Sequence, residues 1–175
     1  MAAEKYLYGI KSVKFGTPTG SSSMPAASDM TTWAQTVQGS LTISEDESTL
    51  TEFFVEETTT PVHSIVSQPG ALRVTWRAYD MGVEYLEIVK GGTGTETAAP
   101  GDHTYDGPVT IAAQELALEI TTTNDVTFEI YKASVIARFD STLGRENLLE
   151  VEVTATALDP GDGGSPYRIS LPNPS

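Results

Sequence analysis

The stretch ALRVTWRAY, residues 71 to 79, carries the clearest structural signal in the chain. Its apolar side chains Leu72, Val74, Trp76 and Ala78 alternate with polar ones, which is the period of a β-strand with one face on a core. The same alternation recurs within residues 37–43, 116–120, 126–130 and 149–157. Further strands are expected at Tyr6 to Phe15, Thr51 to Glu56, Val62 to Ser67 and Ser134 to Phe139.

One short segment has the helical period instead. Val83, Leu86 and Val89 fall on one face of a predicted helix. Asp80 is suited to cap its N-terminus, and the Gly91-Gly92 pair supplies a left-handed stop. The sequence therefore predicts a helix over about residues 81–90.

Two stretches without a period predict long loops, Gly16 to Thr32 and Gly91 to Pro108, because both are rich in Gly, Pro, Ser, Thr and Asp. The predicted fold class is mostly β: a β-sandwich or barrel-forming sheets with one short flanking α-helix and long loops. Residues 1–175 are expected to form a single domain, since this length suffices for one core.

The charge distribution is strongly acidic. Seven acidic residues and no Lys or Arg lie between Lys14 and Arg73, and the formal net charge is -14. Such a surface repels a phosphate backbone, which excludes a conventional nucleic-acid binder but suits a protein that DNA touches without adhering. The chain has no Cys. No apolar run is long enough to span a bilayer, and the first residues lack a secretory signal, so synthesis and retention in the cytoplasm are expected.

The sequence offers no catalytic, metal or cofactor site. His63 and His103 are in different segments and belong to no metal-binding pattern, and a G-x-S-x-G elbow is absent from the sequence. The glycine-rich run at Gly91 follows the predicted helix and lacks the lysine of a phosphate-binding loop. We therefore predict a protein that is not an enzyme and needs no cofactor.

Three aromatic residues are candidates for contacts between subunits. Phe53 and Phe54 are adjacent, so on a strand they point to opposite faces, and one of them cannot enter the same core as the other. That one is expected to be buried either under a neighbouring loop or in a subunit interface. Trp33 ends a polar loop and is suited either to cover the core or to make a contact. Trp76 is expected in the core because of its place in the alternation.

The order of these features resembles the major tail tube proteins of long-tailed bacteriophages. The resemblance rests on a first strand at Tyr6 to Gly16, a strand followed by a capped helix that stops at Gly91 to Thr93, a turn at Leu143 to Asn147, a last strand at Leu149 to Leu158, and the segment Ser165 to Ile169. It covers nearly the whole chain as an order of elements.

The resemblance implies a structural subunit of a tail tube, in which six copies form a ring and the rings stack. It implies the chain itself as partner, with tape measure, tail terminator and baseplate proteins beside it, and a virion component assembled in the host cytoplasm. DNA would pass through the lumen during ejection without specific binding. A long loop would contact the next ring, and both Gly16 to Thr32 and Glu45 to Pro61 are candidates; the second is preferred because it contains Phe53 and Phe54.

Four acidic residues are candidates for the lumen: Glu119, Glu129, Glu150 and Glu152. By the period of two they lie opposite the apolar faces of their strands, and an acidic or polar wall leaves DNA hydrated and mobile. Glu150 and Glu152 are preferred because they are predicted to share the longest regular strand; the alternative for each acid is a solvent-facing place on the outer sheet. The alternative function is a carbohydrate-binding or adhesive β-sandwich, which would use an exposed Trp33 and loop tyrosines. The two differ in oligomeric state.

Overall fold

The computed structural model describes residues 8–33, 35–79, 81–97, 101–142 and 144–172. Within these ranges one helix, α1, spans Val83–Lys90, and a 3-10 turn spans Ala27–Asp29. The strands of the described ranges are β1 Ser12–Gly16, β2 Met30–Trp33, β3 Thr42–Glu45, β4 Thr49–Phe53, β5 His63–Gln68, β6 Leu72–Ala78, β7 Thr93–Glu96, β8 His103–Asp106, β9 Gln114–Thr121, β10 Thr127–Phe139, β11 Val151–Ala157 and β12 Tyr167–Ser170. The predicted class, mostly β with one helix, is confirmed.

The main sheet is antiparallel and has the strand order β2-β1-β9-β10-β11-β6-β3. Strand β10 is its centre and, with 13 residues, the longest strand described. Its first half pairs with β9 and β12 and its second half with β9 and β11, and the register with β9 shifts between Ile130 and Ala133. A shift of this kind bends a strand, so β10 passes from one part of the sheet to the other.

The sheet folds back on itself. Strands β2 and β6 are five positions apart, which is about 24 Å in a flat sheet at about 4.8 Å per strand. Yet the rings of Trp33 on β2 and Trp76 on β6 have centroids only 5.9 Å apart. The N–H of Val37 donates to the carbonyl of Arg77 at 2.8 Å, so the segment after β2 joins the edge of β6. The result is a partly closed barrel around one core.

The alternation predicted in residues 71–79 is confirmed in full. Leu72, Val74, Trp76 and Ala78 are buried, and the residues between them are exposed or half-buried. An aromatic group fills the interior: Trp33 packs edge-on against Phe15 and Trp76 and stacks on Tyr85 of the helix at 5.7 Å. These contacts connect both ends of the sheet with α1.

Helix α1 begins two residues later than predicted. Gly82 is its N-cap, so the prediction that Asp80 caps it is wrong; Asp80 itself lies outside the described residues. Leu86 and Val89 are buried, and packing of an apolar face contributes more to a short helix than a cap. The predicted stop is confirmed, because Gly91 and Gly92 have φ of 71° and 97°.

Other differences from the predicted elements arise from pairing partners. The stretch predicted as a loop from Gly91 to Pro108 contains the hairpin β7–β8, where the Tyr105 hydroxyl donates to the carbonyl of Gly91 at 2.6 Å. The loop predicted from Gly16 ends earlier, because β2 begins at Met30 and pairs with β1. The two strands predicted at 126–130 and 134–139 are one, β10.

Several predicted segments start or end differently. The strand expected at 37–43 begins only at Thr42, since a turn at 38–39 precedes it and the Ser40 hydroxyl donates to the carbonyl of Val37. The last predicted strand begins at Val151 rather than Leu149. Of the other predicted features, Tyr6 and Leu7 of the first strand and Leu143 of the turn lie outside the described residues.

Candidate functional site

An apolar hairpin projects from the fold. We call residues 49–68, which are β4, its turn and β5, the arm. Every residue from 42 to 69 is exposed, and β4 and β5 pair only with each other within the described ranges. Seven large apolar side chains of the arm are exposed: Leu50, Phe53, Phe54, Val55, Val62, Ile65 and Val66. A two-stranded hairpin is marginally stable alone in water, so the arm has the character of a contact element.

The predicted contact residues Phe53 and Phe54 lie at the end of the arm. Phe53 is the last residue of β4 and Phe54 follows it, and they are 47% and 57% exposed. The Phe53 ring lies 6.1 Å from His63 across the hairpin. The sequence predicted that at least one of the two lies outside the core, and in the structure both do.

Trp33, the third predicted contact residue, lies in the core. It is 3% exposed and is surrounded by Phe15, Trp76 and Tyr85. Its ring is therefore not available to another subunit. The cause is the closure of the sheet, which places the end of β2 against β6 and which the local sequence does not reveal.

The base of the arm is fixed to the main sheet. The Arg73 side chain on β6 binds the Asp46 carboxylate at 3.0 Å, and the Asp46 N–H donates to the carbonyl of Ala71 at 3.0 Å. Gly70 passes so close that a Cβ there would lie 1.7 Å from the Asp46 carbonyl oxygen. These contacts hold the direction of the arm while its apolar residues stay in solvent.

A second surface is the outer side of β6, β11 and the second half of β10, which we call the polar face. Its residues point away from the core: Arg73, Thr75, Arg77, Lys132, Ser134, Ile136, Arg138, Glu152, Thr154 and Thr156. All but Ile136 are hydroxyl-bearing or charged. In register across the three strands lie the rows Thr75–Thr154–Ile136 and Arg77–Glu152–Arg138.

Glu152 binds both arginines of its row. One carboxylate oxygen lies 2.6 Å from Nη2 of Arg138, and the other lies 3.1 Å from Nη2 of Arg77. The hydrogen bond from Arg138 lowers the pKa of Glu152 below its usual value; partial burial opposes this, and Arg77 adds to the lowering. Asp140 and Glu150 lie 3.5 Å from Arg77, so two guanidiniums meet three carboxylates.

A second charged row crosses the other end of the sheet, which we call the Lys14 row. Lys14 on β1, Glu119 on β9, Glu129 on β10 and Arg168 on β12 are in register. The Lys14 ammonium lies 2.6 Å from Glu119. Two like charges on neighbouring strands repel, and the flanking cations offset this repulsion.

The four candidate lumen residues fall into two groups. Glu119 and Glu129 are in the Lys14 row. Glu152 pairs with Arg138, which is nine residues after Glu129 on β10, or about 30 Å along the strand at about 3.3 Å per residue. Glu150 precedes β11, where its N–H donates to the Ser141 hydroxyl at 2.9 Å. The expectation that Glu150 and Glu152 share the longest strand is wrong, because β11 has 7 residues and β10 has 13.

The cations that accompany these acids were not predicted from the sequence. Lys14, Arg77, Arg138 and Arg168 occupy the same outward positions as the glutamates. The signal was present, since Arg77 alternates with Trp76 in the stretch that defines β6. Which acid each cation meets depends on strand order, and the outer surface of the sheet is charge-paired rather than uniformly acidic.

The described residues contain little that resembles a ligand site. No group of three or more His, Asp or Glu side chains in the described ranges is arranged to hold a metal ion. Both tryptophans are buried, so neither presents an indole to a sugar, which the alternative carbohydrate-binding function would need. In the part of the chain that the structure describes, no helix is long and apolar enough to cross a membrane.

The fold and these surfaces define a structural β-protein, with an apolar arm outside its core and a sheet face of hydroxyls and paired charges. A family model described as phage tail tube protein matches residues 11–169, and the chain belongs to this family. It is a structural subunit of a phage tail tube, a component of the virion tail, and not an enzyme. A search of curated proteins finds no match.

Proposed function

We propose that six copies of this chain form a closed ring, that the rings stack into the tube, and that the lumen conducts the DNA genome during ejection. Residues 1–175 act as a single tail tube domain, assembled in the host cytoplasm, with tape measure, tail terminator and baseplate proteins as further partners. Membership of the tail tube family supports this proposal, since it implies self-assembly into a tube. Head-to-tail contacts of this kind repeat without end.

The observation that carries the proposal is the arm. Its seven exposed apolar side chains lie on a hairpin that contributes nothing to the subunit's own core. Burying a Phe, Leu, Ile or Val side chain in a contact contributes about 1.5–3 kcal/mol, so even partial burial of several would favour assembly. The arm's fixed base directs this surface away from the sheet, as contact with a neighbouring ring requires.

The other candidate for the contact between rings is less suited to it. Within residues 17–26, Thr19, Ser21 and Ser23 hydrogen-bond to one another, and Ser22 binds Asp162 through its N–H at 2.7 Å and its hydroxyl at 2.8 Å. These groups satisfy one another within the subunit. The arm, which contains Phe53 and Phe54, is therefore our choice for the contact.

The polar face and the Lys14 row are proposed to line the lumen. Duplex DNA carries one negative charge per about 1.7 Å of its axis, so a wall with unpaired cations would retain it. Here Glu119 binds Lys14, and Glu152 binds Arg77 and Arg138. The hydroxyls of Thr75, Thr154 and Thr156 occupy neighbouring outward positions on β6 and β11. Arg73 and Lys132 on the same face pair with Asp46 and Glu115, so most cations of this wall are paired, and Glu129 and Glu150 add negative charge to it.

The arm is tested by replacing Phe53 and Phe54 together with Ser. We expect tube formation, observed by electron microscopy, to be lost while the urea midpoint of the unassembled subunit changes little. The matched control is Val109→Ser with Ile111→Ser, which removes two exposed apolar side chains outside the arm. Normal tubes from the Phe double variant, or equal loss in the control, would contradict the assignment.

A further inference from the structure

We propose that Glu152 masks Arg77 and Arg138 from DNA, so that this one carboxylate keeps the tube wall from binding the genome it conducts. The inference rests on the proposed function, because it takes the polar face to be the wall that DNA meets. The partner is recognised by its chemistry, the phosphate oxygens of duplex DNA, for which paired guanidinium donors are the strongest protein ligands.

Most of the cations in the described ranges are ion-paired. Of the ten lysines and arginines, Lys5 lies outside the described residues. Six of the other nine form ion pairs with N–O distances from 2.6 to 3.1 Å: Lys11, Lys14, Arg73, Arg77, Lys132 and Arg138. Among the acids of these pairs, only Glu152 lies within hydrogen-bond distance of two of the six cations. Its removal therefore leaves two cations without their nearest acid, whereas the removal of any other single acid in these pairs leaves one.

The three side chains of this cluster differ in their exposure. The Glu152 side chain is 13% exposed, whereas those of Arg77 and Arg138 are 42% and 67% exposed. The carboxylate thus lies beneath two guanidiniums, and the guanidiniums are what a molecule passing over the face would meet. Arg77 and Arg138 are two strands apart, about 10 Å at about 4.8 Å per strand, with Glu152 between them.

Glu152 occupies hydrogen-bond donors of both arginines. It engages Nε and Nη2 of Arg138 at 2.9 and 2.6 Å, and Nε and Nη2 of Arg77 at 3.3 and 3.1 Å. These are the paired donors through which an arginine would bind a phosphate. Asp140 and Glu150 reach the arginines only at 3.5 to 3.6 Å, so they supply charge but do not occupy the same donors as closely.

The test compares assembled tubes of the wild-type protein, Glu152→Gln and the control Asp125→Asn. The control makes the same change of charge but releases only Lys11, which precedes β1 and lies off the polar face. Each is mixed with short linear duplex DNA, and the DNA that sediments with the tubes is measured. We expect Glu152→Gln tubes alone to retain DNA at low salt. A rise from about 50 to about 200 mM salt should weaken retention about tenfold for every two phosphate contacts, so tubes that present both arginines from every subunit should lose retention steeply.

Two further variants complete the design. Glu152→Gln combined with Arg77→Gln and Arg138→Gln should no longer retain DNA, because the released donors are gone. If Glu152→Gln does not assemble, Glu152→Asp replaces it: the shorter side chain keeps the charge but loses reach to Arg138, so weaker retention is expected. No retention by the assembled variant, or equal retention by Asp125→Asn, overturns the inference.

Closed-circular DNA separates this inference from the proposed function. A circle cannot enter a tube end-on, so the Glu152→Gln tubes should retain linear duplex and not circles. Retention of both would place the polar face outside the tube, which overturns the luminal assignment and with it the role of Glu152 at the wall. Absence of tubes from the wild-type protein would instead contradict the proposed assembly.

Discussion

Replacing Trp33 tests whether the sheet closes through its aromatic group. The indole is buried between β1, β6 and α1. The ring centroids of three aromatic residues lie 5.5 to 5.9 Å from its own: Phe15, Trp76 and Tyr85. Trp33→Ala removes the contact that joins the two ends of the sheet and leaves a cavity. We expect a destabilisation of about 3–5 kcal/mol, the usual range for Trp to Ala in a core.

Trp33→Phe is the informative partner variant. The Trp33 Nε1–H has no acceptor among the described residues, and a buried donor without a partner costs about 1–3 kcal/mol. Phenylalanine loses part of the packing of the larger indole, but it also removes the unpaired donor and keeps a ring to stack on Tyr85, so the loss and the gain oppose each other. We expect Trp33→Phe to cost less than about 2 kcal/mol, well below the cost of Trp33→Ala.

The assay is urea unfolding of unassembled subunits, followed by circular dichroism. All variants carry the Phe53→Ser and Phe54→Ser changes, so that assembly does not contribute to the measured stability. Val109→Ala, at a fully exposed position, is the control and should leave the midpoint unchanged. A cost below about 1 kcal/mol for Trp33→Ala, or equal costs for Ala and Phe, would refute the reasoning.

Two further predictions concern the helix end and pH. Gly92→Val should destabilise the subunit by more than about 1 kcal/mol, because φ is 97° and a Cβ would lie 2.4 Å from the Asp106 carbonyl oxygen. The control Gly107→Ala places its Cβ in open space and should have little effect. Equal shifts of the thermal midpoints of the two variants would contradict this prediction. The Arg138 hydrogen bond lowers the pKa of Glu152 in the folded state. The ion pairs of Glu152 therefore stabilise the fold fully above the pKa of the unfolded chain, near 4.5, and this stabilisation is lost as the pH falls through the lower pKa of the folded state. Glu152→Gln should therefore flatten the decline of urea midpoints below pH 4.5, and an unchanged decline would count against the pairing.

The elements that depend on short-range sequence were predictable. The strand around Trp76 follows from an alternation within nine residues, and the helix end follows from two adjacent glycines with positive φ. The outward positions of Glu119, Glu129 and Glu152 follow from the same period of two. In each case neighbouring residues in the chain carry the whole signal.

The misplaced features depend on partners distant in the chain. The hairpin β7–β8 was predicted as loop because its Gly and Thr residues favour turns, and its packing on α1 overrides this preference. Asp80 was predicted as a cap from its type alone, but the helix starts at Val83, with Gly82 as its cap and an apolar face that packs on the sheet. Local propensity is a weak guide where packing supplies the larger energy.

The sequence by itself determined which residues of a strand share a face, because the period of a strand is a property of the local backbone. Only the tertiary structure decided what those residues meet. Trp33 reaches Trp76 because the sheet curves through five strand positions, and Glu152 reaches Arg77, 75 residues away, because β11 lies between β6 and β10. Strand order is set by the energy of the whole packed core, and no window of local sequence contains it.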